Sequence, residues 1–75
     1  MITDSQCRAA RGLLQWTRAD LAAASGVHTN TLYGFELGKR SPIPANLTAI
    51  ETALVAAGVE FIPENGGGAG VRLKK

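Results

Sequence analysis

Two short helical segments meet across three residues, Ser25-Gly26-Val27, and that junction decides much of the fold. A glycine there permits the positive φ that a tight turn between helices requires. Ala22 and Ala23, on the first segment, are small enough to let the second approach closely. Val27 then fills the space between them, while Leu32 and Phe35 turn the apolar side of the second segment inward. At 75 residues the chain has room for one small domain. Its single cysteine, Cys7, cannot form an internal disulfide, so packing alone must hold the fold.

Start and stop signals divide the remainder. Thr3 followed by Gln6 matches a capping box, which predicts a first helix from Asp4 to about Leu14, with Cys7, Ala10 and Leu14 as its buried stripe. Thr17 precedes a second helix, Arg18 to about Ala24, and Gly26 stops it. A third is expected from about Thr29 to Leu37, closed by Gly38. Pro44 suits the first turn of a fourth, which runs to Ala57 with Leu47, Ile50, Leu54 and Ala57 facing inward. After Gly58 the period shortens. Val59–Ile62 and Val71–Lys74 read as the strands of a hairpin, joined by a loop, 63–70, that holds four of the nine glycines. That loop lacks the Lys-Ser/Thr ending of a phosphate loop and feeds no helix, so no nucleotide is expected there.

Apolar residues make up 45% of the chain and charged residues 19%, a folded rather than disordered composition. No apolar run approaches the ~20 residues of a bilayer span. The N-terminal residues lack a basic segment followed by an apolar one, so a cytoplasmic protein with no membrane association is expected. The formal net charge is +2, unevenly spread. Arg8, Arg11, Arg18, Lys39 and Arg40 outweigh Asp4, Asp20 and Glu36 in the first half. Residues 41–71 carry only Glu51, Glu60 and Glu64, and the tail adds Arg72, Lys74 and Lys75. A basic first half and a basic tail point to a polyanionic partner. With one His and one Cys, no nucleophile–base pair can be named and no metal or cofactor is expected; His28 has no companion ligand other than Cys7, on a buried stripe. Trp16 is expected to cover the edge of the core.

The outward face of the third segment carries Thr29, Asn30, Tyr33 and Gly34, polar and uncharged. Together with Arg11, Thr17, Leu21-Ala22, Ser25-Gly26-Val27, Thr31-Leu32, Glu36, Gly38 and Lys39, the pattern over roughly residues 4–58 resembles the lambda-repressor-like (Cro/cI-type, XRE) helix-turn-helix family. The resemblance implies a mainly α fold, a compact bundle of four or five helices, here followed by the short β-hairpin. It makes residues 1–58 a DNA-binding domain and the third helix the one that enters the major groove.

By the same resemblance Thr29, Asn30, Tyr33 and Gly34 are the base-reading positions. Asn30 has the amide geometry for adenine, and Thr29 suits a thymine methyl or a phosphate. Tyr33 faces a phosphate or a base, or packs on its own helix. Gly34 lacks a side chain, which favours close approach to the groove wall. Arg18, His28, Lys39, Arg40 and Ser41 are the phosphate candidates, with His28 standing where a Ser or Thr usually caps. Arg11 and Glu36 match a buried ion pair joining the first and third helices. Gln15 stands at a frequent glycine position, so a different turn is expected there.

A transcriptional regulator on double-stranded DNA follows, expected to repress as a homodimer on a palindromic operator. The alternatives are an antitoxin that also binds a toxin, and an anti-activator that binds an activator protein and has lost DNA affinity. Residues 59–75 are the expected dimerisation element, through Val59, Phe61, Ile62, Val71 and Leu73. Such a hairpin needs a cover, either its own bundle or the same segment of a second subunit.

Overall fold

The computed structural model describes residues 2–74. Four helices are followed by one antiparallel hairpin: α1 (Asp4–Leu14), α2 (Arg18–Ser25), α3 (Thr29–Glu36), α4 (Pro44–Ala56), β1 (Val59–Ile62) and β2 (Gly70–Leu73). The mainly α class with a C-terminal hairpin is therefore as read from sequence, with boundaries within about one residue.

Local chemistry explains the boundaries. Thr3 and Gln6 exchange both bonds of a capping box at the start of α1, and Thr17 and Asp20 do the same for α2. Gly26 ends α2 at φ 76°, a left-handed geometry open to glycine without steric cost. Gln15 adopts the same region at φ 57° after α1. The turn is thus the one a glycine favours, made here without glycine, which corrects the expectation of a different one. Pro44 occupies the first turn of α4, whose N-cap, Ile43, supplies no side-chain bond.

One core joins all the elements. Cys7 and Ala10 of α1, Leu21 of α2, Val27 of the turn, Leu32 and Phe35 of α3, and Ile50 and Leu54 of α4 are buried together with Ile2 and Val59. Leu14, Trp16 and Leu47 pack against its margin.

The hairpin pairs Val59 with Leu73, Glu60 with Arg72, Phe61 with Val71 and Ile62 with Gly70. This register puts Val59, Phe61, Val71 and Leu73 on one face. That face is covered by the chain's own helices: β1 lies against α1 and α4, and β2 against α1. Val59 is only 1% exposed. It belongs to the core, which corrects its assignment to a subunit interface. Phe61 and Val71 are half-buried against the same core, Ile62 is half-buried on the other face, and Leu73 remains 44% exposed. Gln6 of α1 fastens the hairpin, its Nε2 donating to the carbonyls of Gly70 (3.0 Å) and Ile62 (3.3 Å). Arg72 meets Glu60 across the strands with two bonds of 3.1 and 3.2 Å. In the loop, Glu64 accepts from the backbone of Gly66 and Gly68. Lys75 lies outside the described residues.

Candidate nucleic-acid interface

An eight-residue helix such as α3 is too short to persist alone, so its orientation depends on what holds it. Leu32 and Phe35 seat its inner face in the core. Its last residue, Glu36, is 1% exposed and gathers donors from two other helices. Arg11 of α1 binds it in a fork, Nε to Oε2 and Nη2 to Oε1, both at 2.7 Å. The Cys7 thiol donates to Oε2 at 3.3 Å, and Arg18 of α2 reaches Oε1 at 3.4 Å.

Burial of Glu36 favours its neutral form. The hydrogen bonds from Arg11 and Cys7, with the charges of Arg11 and Arg18, outweigh that and hold its carboxyl below the usual carboxylate range. The same fork raises the Arg11 guanidinium, and burial followed by the bond to Glu36 pushes the Cys7 thiol up to about 12. Cys7 is therefore a protonated hydrogen-bond donor, unsuited to act as a nucleophile.

Two further contacts complete the mount. Arg11 Nη1 donates to the Trp16 carbonyl at 3.0 Å, tying down the connection between α1 and α2. Arg8 Nη1 donates to the backbone carbonyl of Glu36, the last residue of α3. Sequence reasoning missed Arg8. The only local signal was its i,i+4 spacing from Asp4, with which it also pairs.

The outward side of α3 carries Thr29, Asn30 and Tyr33. Thr29 is half-buried, Asn30 exposed and Tyr33 51% exposed. Gly34 differs from its expected place: it is buried, because the stem of Arg40 lies across it, and its backbone does not lie open on this face. Arg18 is turned toward the protein, its guanidinium 4.8 Å from the Tyr33 ring centroid and its Nη1 on Glu36, so it links the buried pair to the outward face. His28 caps α3 through Nδ1, which accepts from the Asn30 amide at 3.1 Å. Lys39, Arg40 and Ser41 follow the helix, all exposed.

The electrostatics of this face are one-sided. Among the described residues, the ion pairs occupy Asp4, Glu36 and Glu60, while Asp20 caps α2 and Glu64 closes its own loop. None of these carboxylates pairs with Lys39 or Arg40, and both cations border one concavity with Asn30, Tyr33 and Gly34. No group of His, Cys, Asp and Glu among the described residues is arranged to hold a metal ion. Among the described residues, no helix is long and apolar enough to cross a membrane.

A protein-family model described as "Helix-turn-helix" matches residues 8–54 of the chain, from within α1 to near the end of α4. Comparison with curated proteins gives no match.

Proposed function

The chain belongs to the lambda-repressor-like (XRE) helix-turn-helix family, and on that premise we propose that it is a sequence-specific repressor that binds a palindromic operator as a homodimer. One observation carries the reading: a short polar helix face, Thr29, Asn30 and Tyr33, flanked by the cations Lys39 and Arg40, with which no carboxylate among the described residues pairs. Such a face suits the major groove, where polar side chains meet base edges and flanking cations meet phosphates. Asn30 and Thr29 lie at the N-terminal turn, the end of a recognition helix that reaches bases. Lys39, Ser41 and the free ring edge of His28 serve as phosphate contacts.

A single copy reads only a few base pairs, so a second copy about 34 Å along the duplex supplies the remaining specificity. The hairpin supports that assembly. In a two-stranded sheet the outer edge of each strand lacks a ladder partner, and Leu73 at its rim is exposed. Strand addition between copies covers both and is two-fold symmetric.

The test is selection of bound sequences from a random duplex library, followed by sedimentation with the selected duplex. A palindromic motif bound by two chains is expected. A single half-site bound by one chain removes the dimer, and the absence of any selected sequence removes the reading.

A further inference from the structure

Gly34 and Arg40 explain one another. A glycine in the interior of a two-turn helix leaves a gap on the outward face, and here the gap is filled from outside the helix. A Cβ at position 34 would lie 3.2 Å from Arg40 Cδ, 3.4 Å from its Cγ and 3.7 Å from its Cβ. The arginine stem takes that course where nothing projects from residue 34. A Cβ there would press it aside by a few tenths of an ångström, and a longer side chain would compete for the same space. The backbone enforces the approach, since the amides of Lys39 (3.0 Å) and Arg40 (3.2 Å) both donate to the Gly34 carbonyl. The chain after α3 is thereby folded back beside the helix instead of leading away from it.

The head group is left free. Arg8, Arg11, Arg18 and Arg72 each have a carboxylate partner. Arg40 alone among the arginines has none among the described residues, and it shares the concavity with Asn30 and Tyr33.

We propose that Arg40 is a base-reading, specificity-determining residue: it lies across Gly34, takes the place of the missing side chain, and presents its fork to guanine O6 and N7. This rests on the DNA-binding reading above and reassigns Arg40 within it, from phosphate to base. The chemistry separates the two roles. A phosphate needs only a positive charge, which lysine supplies. Two acceptors on one base edge are matched best by the rigid planar pair of N–H groups of arginine, which lysine's rotatable ammonium reproduces poorly.

The experiment repeats the library selection with the full chain, comparing wild type, Arg40→Lys, Gly34→Gln and Lys39→Ala. The wild-type motif is expected to contain a guanine that Arg40→Lys no longer prefers, a loss of roughly 5- to 150-fold at one base pair per half-site with the other positions unchanged. Gly34→Gln displaces the stem and is expected to lose the same guanine, while Lys39→Ala weakens all sequences alike. Circular dichroism checks that Gly34→Gln folds; Arg40→Lys, at an exposed position, decides the matter without it.

A motif that Arg40→Lys leaves intact, or a uniform loss across sequences, overturns the assignment while leaving the DNA reading standing. A wild-type chain that selects no sequence overturns both.

Discussion

Replacing Arg11 by Met tests the mount of α3 at its strongest point. Glu36 would keep its burial and lose both 2.7 Å bonds of the fork. Removing one partner of a buried pair costs about 3–5 kcal/mol, because the remaining charge is left uncompensated. The lower end applies here. Arg18 stays at 3.4 Å, the Cys7 thiol still donates, and the Arg11 side chain is itself 19% exposed, so water can enter where it stood. About 3 kcal/mol corresponds to a fall in Tm of roughly 12–24 °C for a domain of this size. That is a large part of the total expected at about 0.05–0.15 kcal/mol per residue.

The pH dependence sharpens the test. In the wild type the folded carboxyl lies below its unfolded value, so its contribution is present above about pH 4.3 and is lost as pH falls through the folded pKa. Without Arg11 its bond and charge no longer oppose burial, so the folded value moves up and the stability that Glu36 contributes above about pH 4.3 shrinks. Urea denaturation followed by circular dichroism at pH 7 and pH 4 should therefore show a wide gap between variant and wild type that narrows in acid. Adding Glu36→Leu should recover part of the loss at pH 7. A single variant melting within about two degrees of wild type, with a gap independent of pH, refutes the reasoning.

Gln15→Gly should stabilise the fold by about 1 kcal/mol, since a non-glycine residue at φ 57° carries a left-handed penalty; thermal melts check it. The Cys7 thiol, at about 12 when folded and about 8.5 in an unfolded chain, contributes stability below pH 8.5 that drains as pH rises toward 12. Cys7→Ala should accordingly flatten the alkaline limb of stability against pH, and an unchanged slope counts against the buried thiol. Gln6→Ala removes the bonds to Ile62 and Gly70 together with the capping bond from the Thr3 amide. Amides of the hairpin and of the first turn of α1 should therefore exchange faster than those of α4, with a stability loss of about 1–3 kcal/mol. Asn30→Ala should lower affinity for the selected operator by about 1–3 kcal/mol and relax one base pair per half-site, read by competition binding; an equal loss on unrelated duplexes refutes the assignment.

What the sequence disclosed was the chemistry that acts between near neighbours. Thr3 with Gln6, Thr17, Gly26 and Pro44 each act within a few residues of themselves, and each marks a helix end in the structure. The core stripe of Cys7, Ala10, Leu32, Ile50 and Leu54 was legible because helical periodicity is also local. Contacts made across the fold were not. Nothing near Gln6 announces a carbonyl more than fifty residues away, and nothing near Arg8 announces the end of α3. Val59 was misplaced for the same reason: an alternating strand shows that one face seeks cover without saying which surface provides it. Gly34 showed a gap in the helix face, but only the backfolded turn at Lys39 and Arg40 shows what fills it.

The same division runs through α3 itself. Its C-terminal end is held by Arg8, Arg11, Arg18 and Cys7 converging on Glu36, with Phe35 beneath it. Its N-terminal half is seated by the buried Val27 and Leu32 and closed by the His28 cap, with Asn30 facing solvent. The polar anchoring is concentrated at the C-terminal end, so a shift at Glu36 moves this two-turn helix as a unit and with it Thr29 and Asn30. On the proposed reading, a base contact by Asn30 requires placement to within about 0.5 Å, which ties it to the carboxylate buried at the other end of the helix. Substitutions at Arg11 and at Asn30 should therefore be non-additive in operator affinity, although the two residues do not touch. An Arg11→Lys chain that remains folded should show the coupling: its operator preference at the Asn30 base pair should weaken while its stability stays measurable.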